Sequence, residues 1–584
     1  MKITGRVFFL LITVLILMAL PAGAQEVGPG EGGIFIVGNP GGDPNFLNPL
    51  LANSTAELGV NWFMFPGIYN LNPETNLPTT EVTNDEYFGL ATAWSVSDDG
   101  LVYTFTLRDD MVWSDGTPVT AFDYKFTFDA LASGDVASPR TNVLATIDSV
   151  EAPDATTVVI TLKDASCRAI DEFDDFGIIP EHHIRPQIET GSGVNWSLIN
   201  ELSYNKEPVV TSGIFNFIAN IPGEQISLGN NPNHVNPVLP EGYIYKNIPD
   251  QTVLIEQFMA GEINVVYDTG VPFERYEELR QMGQAGEIQF YEYVDDGYTW
   301  MAFNLADPTN PQNGIDEDGN VIDQGHHPIF GDKRVRKAVA FGVNMDDIIS
   351  GAVFGEASPA VAHTFPSAWA NNPDLEPYPF EPETAMALLD EAGWVDHDDN
   401  PATPRVASED ALYAEAGTEL HFLLQVDASD QARINAATII QDQLGAVGFR
   451  VDVEPVDFSS LIPVLLGQTY DAIIIGWTNI SPDTDARAQF NPEFDRVGSG
   501  FNFVSINNPE LSRLMEEARL LPGCDTQARA ALYHPAQAIQ HDELPYLFMY
   551  SPKQVIAVRG EVSGFAPQPE NLFHNLGSWA TLIG

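Results

Sequence analysis

Basic side chains are scarce in this chain of 584 residues: 26 Lys and Arg stand against 82 Asp and Glu, a net charge of 26 − 82 = −56. Binding phosphate requires cations that release counterions, so the shortage excludes a nucleic-acid partner and disfavours an anionic membrane surface. Charged residues are only 18% of the chain and apolar ones 44%, which excludes wholesale disorder, a coiled coil or collagen. The signatures GxSxG, HExxH and GxxxxGK[ST] are absent, so no serine-hydrolase elbow, zincin helix or phosphate loop is encoded. Carboxylate pairs of the glycosidase kind carry no information, because 82 acids produce many pairs by accident. Roughly three or four domain-sized units fit a chain of this length.

Long apolar runs are equally few. Phe8 to Leu20 is the main one, about 13 residues and short of the roughly 20 that span a bilayer. Lys2 and Arg6 precede it and Ala22-Gly23-Ala24 follows, so residues 1–24 read as a secretory signal peptide. Its removal leaves 24 − 82 = −58. The mature protein is expected outside the cytoplasmic membrane, periplasmic or extracellular. It would not span the membrane, and no cysteine follows the cleavage point to carry a lipid anchor. There are two cysteines, Cys167 and Cys524. In an oxidising compartment they are expected to pair; the alternative is two buried thiols acting as small hydrophobes.

Periodicity supplies the fold class. Gly33 to Val37 reads as a short strand ending in the loop Gly38 to Pro49. Leu101–Leu107 and Thr156–Leu162 alternate apolar and polar residues, the mark of half-buried strands. Further on, Tyr243–Lys246, a helix capped by Asp250 and stopped by Gly261, and Ile263–Tyr267 form a strand–helix–strand unit with parallel strands. A helix bearing Ile440 and Leu444, a strand with Val451 and Val453, a helix at Ser459–Leu466 and the apolar strand Tyr470–Ile475 repeat the theme. The expectation is an α/β protein of two lobes with a β-rich subdomain inserted in the first. Ligands of such sheets bind beyond strand carboxyl ends, which selects the Gly38–Pro49 loop and Gly476-Trp477-Thr478.

Other motifs are weaker. His182-His183 and His326-His327 lack the i, i+4 spacing of helical metal ligands and read as solvated loop residues. Asp316, Asp318 and Asn320, and again Asp396, Asp398 and Asn400, alternate like calcium ligands but lack a closing Glu. Trp62, Trp300, Trp369 and Trp477 are the aromatics weighed for ligand contact, Trp477 foremost for its strand-end place.

An ordered series of motifs then carries a resemblance. It begins with Leu90-Ala91-Thr92-Ala93-Trp94-Ser95-Val96-Ser97-Asp98-Asp99-Gly100 and Trp113-Ser114-Asp115-Gly116-Thr117-Pro118. It continues through Gly261-Glu262-Ile263-Asn264-Val265, Phe303-Asn304, Arg334-Val335-Arg336-Lys337-Ala338, Ala392-Gly393-Trp394 and Pro545-Tyr546. The chain thereby resembles extracellular solute-binding proteins of the dipeptide/oligopeptide/nickel family. The resemblance implies lobe I over 25–73, 168–285 and 546–584, the β-rich insert over 74–167, lobe II over 286–545, and hinge strands near Tyr291–Phe303 and Leu547–Val555. It further implies a monomer, not an enzyme and with no cofactor, that delivers a peptide or other small solute to the permease subunits of an ABC importer. Site residues carried over are Asn45, Tyr298, Trp300, Trp477, Asp483 and Asn502. One departure stands out: where peptide binders place an aspartate for the ligand's ammonium, this chain has Ile480, with Asp483 as a possible substitute. An oligosaccharide ligand therefore stays open. The rivals from other classes are a secreted carboxylate-dependent hydrolase and a calcium-loaded adhesion module.

Overall fold

The computed structural model describes residues 28–581 apart from 53, 73–77, 80–88, 174–175, 237, 268–269, 295–296, 399, 401–402, 429, 478–482 and 569–571. The expected signal peptide and Ile480 lie outside the described residues. Strand β1 (Ile34–Asn39) is followed by an inserted four-stranded antiparallel sheet. Its strands are β2 (Ala91–Val96), β3 (Val102–Leu107), β4 (Ile147–Asp154) and β5 (Thr157–Leu162), in the order β2-β3-β5-β4. The period-two pattern does what it implies: Tyr103, Phe105, Leu107, Val158, Ile160 and Leu162 are buried, while Thr106 faces water. Phe173 then packs edge-on against Phe105 at 5.7 Å.

The chain returns through β6 (Phe215–Ile221), β7 (Gln225–Asn230), β8 (Gly242–Asn247), α1 (Gln251–Ala260), β9 (Val265–Tyr267), α2 (Tyr276–Ala285) and β10 (Ile288–Val294). Asp250 caps α1 by accepting from the Val253 N–H at 3.0 Å, and Gly261 ends it at φ 80°, a conformation costly for other residues. Strands β8 and β9 are both parallel to β1, yet they do not touch, because β1 lies between them. The local pattern dictates strand direction; the neighbour comes from far earlier in the chain.

The remaining elements that position the site are β11 (Tyr298–Phe303), β12 (His421–Asp427), α3 (Gln431–Gly445), β13 (Arg450–Val456), β14 (Ala472–Trp477), α4 (Pro509–Arg519), α5 (Thr526–Glu543) and β15 (Tyr546–Arg559). Together the strands make a twelve-stranded sheet of order β6-β7-β8-β1-β9-β15-β11-β14-β12-β13, with β10 and Ala357–Pro359 also pairing β15. Apolar β14 runs between β11 and β12, so Ala472, Ile473 and Ile474 are fully buried.

Strand β15 belongs to both lobes. Its first half pairs with β11 through Ala302↔Tyr546 and Met301↔Leu547; its second half pairs with β10 from Val294↔Lys553 to Ile288↔Arg559. The apolar cores divide on the same line. Buried residues of one set of clusters come from 35–288 and 555–579, those of the other from 298–550. The cores thus change over inside the crossing strands rather than at 285/286 and 545/546, because a strand that serves two sheets has its boundary in mid-strand. At the crossing, Arg280 Nη2 donates to Glu356 Oε1 at 2.8 Å, and Lys553 Nζ bridges Glu292 at 3.1 Å and Glu356 at 3.4 Å.

Candidate functional site between the lobes

Antiparallel pairing places Tyr298 opposite Trp477 and Trp300 opposite Ile475. Side chains alternate along each strand, so Tyr298, Trp300 and Trp477 share one sheet face with Tyr546 and Phe548. They build an aromatic stack. Trp300 lies 3.9 Å from Tyr546, 5.7 Å from Phe503 and 6.2 Å from Trp477, centroid to centroid, all near parallel. Tyr298 and Trp300 are buried in it. Trp477 is half-buried at its end, where half-exposed Phe501 meets it edge-on at 5.8 Å. The Tyr298 hydroxyl is hydrogen-bonded to His363 Nδ1. Burial raises the Tyr298 hydroxyl well above its ordinary pKa, and burial, helped by the charge of Arg168, lowers His363 to about 3. Both groups are therefore neutral near pH 7.

The other residues singled out in the sequence do different things. Asp483 is buried and gripped by Arg529, whose Nη2 donates to Oδ1 at 2.9 Å and whose Nη1 donates to Oδ2, while the Tyr533 hydroxyl donates to Oδ1 at 2.9 Å. Its carboxylate is thus engaged by two protein donors. Asn502 is fully buried and clamps its own loop: Nδ2 donates to the carbonyls of Asn491 and Ile506 at 3.1 and 2.9 Å, and Oδ1 accepts from the Ile506 N–H. Asn45 is exposed, and its N–H donates to Glu57 at 2.8 Å. Trp369 packs on Tyr533 at 6.0 Å with Arg529 over its ring, and Trp62 is exposed.

The histidine expectation is corrected. His327 is buried, not solvated; Nδ1 accepts from the Ile329 and Phe330 N–H groups, and Nε2 lies 3.0 Å from Asp471. His182 and His183 lie on a helix, Glu181–Ile188, with His182 paired to Asp115 at 2.8 Å. The first calcium-like loop is closed on itself, Asp316 accepting from the N–H groups of Asp318 and Asn320. Asp396 and Asp398 in the second likewise accept from the backbone N–H groups of Asp398 and Asn400. Among the described residues no three His, Cys, Asp or Glu side chains are grouped to hold a metal ion.

A cavity of about 230 Å³ is lined from both sides of the lobe boundary. Thr146 and Asp164 line it from the segments flanking the inserted sheet, and Arg487, Glu493, Phe494, Arg496 and Arg519 from lobe II. None of the six sequence-selected site residues lines it. Arg519 Nη2 pairs with Glu516 at 2.6 Å; Arg487 sits over the Phe494 ring and within 3.5 Å of Glu493 and Glu516. Arg487 Nε is buried with no hydrogen-bond partner among the described residues. Next to Cys167 in sequence, Arg168 of lobe I is paired with Asp171 at 3.3 Å. Burial works against its charge, but Asp171, Asp483 and Asp485 outweigh burial and hold the guanidinium above its ordinary pKa. Guanidiniums, carboxylates and one aromatic face can sort a polar solute by charge and hydrogen bonding. The one available signal for these residues was rarity: four of 26 basic residues fall within 487–519.

Comparison with known proteins gives a consistent result. A family model described as bacterial extracellular solute-binding proteins, family 5 Middle, matches residues 87–491, more than half of the chain. The oligopeptide-binding protein AppA of Bacillus subtilis is 23% identical over 558 residues, covering 94% of this chain and 92% of that protein. Its structure in complex with a nonapeptide superposes with a TM-score of 0.74 at 22% identity, over 95% of this chain and 100% of that one. NikZ from Campylobacter jejuni in complex with Ni(L-His) gives 0.73 at 21% identity, over 94% and 99%. At these identities the structural likenesses speak for the two-lobe fold.

Proposed function

The chain belongs to the bacterial extracellular solute-binding proteins of family 5, and from that premise we propose that it captures a peptide or similar polar solute between its lobes and hands it to the permease subunits of an ABC importer. It acts in this reading as a monomer without catalytic activity, outside the cytoplasmic membrane. The observation that carries the proposal is the pairing of β15 with both β10 and β11. Two cores joined through shared strands can rotate about them, and a cavity is lined from both lobes. Lobe I with its insert would present Thr146 and Asp164; lobe II would present the arginines and the Trp477 edge of the aromatic stack.

A second reading, an oligosaccharide or other solute lacking a free ammonium, is favoured by one observation. Asp483, the candidate substitute for the missing anchor at position 480, has its carboxylate engaged by Arg529 and Tyr533. An ammonium buried in a closed cleft needs a carboxylate, since an unpaired one costs several kcal/mol. Mass spectrometry of solutes that co-purify with the protein, followed by calorimetry with the compound found, tests both readings. Recovery of a peptide supports the first and of a sugar the second. A protein that binds neither peptide nor oligosaccharide mixtures would sink the capture role.

A further inference from the structure

The disulfide joins the two lobes. Cys167 lies in the loop after β5, between lobe I core residues Leu162 and Ala169. Cys524 lies in the turn between α4 and α5, between lobe II core residues Ala518 and Tyr533. They are bonded, with Cα atoms 5.4 Å apart and a sequence separation of 357. The contact around them is also interlobe: the Cys167 N–H donates to the Arg519 carbonyl at 2.8 Å, and Arg519 Nη1 donates to the Ala165 carbonyl at 3.4 Å. This tie stands at the rim of the cavity. Asp164 and Arg519 line it, whereas no residue of the crossing strands β10, β11 or β15 does. Cys524 is exposed and sits at φ 50°, a backbone region that non-glycine residues seldom occupy.

We infer that Cys167–Cys524 is a latch that limits how far the lobes open. The inference rests on the two-lobe capture reading for its use, though not for its test. A disulfide keeps its Cα atoms within about 4.4–6.8 Å. The oxidised chain can therefore separate its lobes at this rim only as far as the loops around 163–167 and 520–524 yield. Solute would then exchange through partial opening, and full hinge opening would belong to the reduced form. Reduction by a dithiol breaks the Sγ–Sγ bond. Two electrons and two protons pass to Cys167 and Cys524, and the dithiol's own sulfurs join as a disulfide. The exposure of Cys524 gives such a reductant access.

The test uses the full mature protein with no solute added. Small-angle scattering and amide hydrogen exchange are recorded for the oxidised protein, for the protein in dithiothreitol, and for the Cys167→Ser/Cys524→Ser variant. Thiol counts confirm each state, and far-UV circular dichroism confirms folding. The expected result is a larger radius of gyration in both unlatched forms, with protection lost in 165–171 and 483–496 while core strands β1, β11 and β14 keep theirs. An equal radius of gyration and unchanged exchange in the unlatched forms would overturn the latch. Loss of the dichroism signal would overturn it too, by showing a staple of the fold. If no solute ever binds but the unlatched forms open, the capture reading fails and the latch stands.

Discussion

Replacing Asp483 by Asn separates two roles that a buried carboxylate in this place can have. In the structure Asp483 and Arg529 are a buried pair, with side chains 10% and 4% exposed. Arg529 also donates to the Ala518 carbonyl at 2.9 Å and to the Tyr533 hydroxyl at 2.8 Å, and it lies 5.5 Å from the ring centroids of both Trp369 and Tyr533. An asparagine keeps an acceptor but not the charge, and a guanidinium cannot shed its proton. Breaking such a pair from one side costs about 3–5 kcal/mol; the surviving carbonyl and aromatic contacts place the expected loss near the lower figure. Arg529→Met in the same chain should recover much of it, because an apolar replacement of a buried pair is often near neutral. Urea unfolding followed by tryptophan fluorescence measures the loss, and the double-mutant cycle measures the coupling. Calorimetry with free and N-acetylated tripeptides is run alongside. The reasoning is refuted if Asp483→Asn costs under about 1 kcal/mol, a surface-like value, while free tripeptides lose binding. Asp483 would then serve the ligand's ammonium and not Arg529.

Three further outcomes follow from the same geometry. N-acetylation should change the affinity of short peptides little, since the Asp483 carboxylate near the expected anchor position is already engaged by Arg529 and Tyr533; a large loss on acetylation contradicts this. Trp477→Ala should weaken binding of the co-purifying solute by about 1–3 kcal/mol, the usual loss for a contact aromatic, and calorimetry showing no change would place Trp477 outside the site. His363 has a folded pKa of about 3, below the ordinary 6.5, so the unfolded chain binds the extra proton and stability is lost as pH falls from 6.5 towards 3. Between pH 7 and 5 this group alone costs about 2 kcal/mol, and urea midpoints of His363→Gln should lack that share of the acid loss.

Much of the fold was legible because it rests on local rules. The alternation in 102–107 and 157–162, the Asp250 cap and Gly261 stop, and the apolar run of β14 each depend on residues within a few positions of one another. Cys167 and Cys524 were legible by count alone, since two thiols outside the cytoplasm have only each other. The placing of Trp477 at a strand end also followed from pattern. By contrast, the buried state of His327 depends on Asp471 and the N–H groups of residues 329–330, and adjacency to another histidine says nothing about that.

The sequence by itself determined the class of protein, the direction of its strands and the family, because periodicity, capping and ordered motifs are properties of the chain in one dimension. Only the tertiary structure decided which strand neighbours which, that β15 serves two cores, that Asp483 answers Arg529, and that the disulfide ties lobe to lobe across the cavity rim. Each of these is a contact between segments far apart in the chain. A carboxylate's role is set by the partner that packing brings to it, and no spacing in sequence encodes that partner.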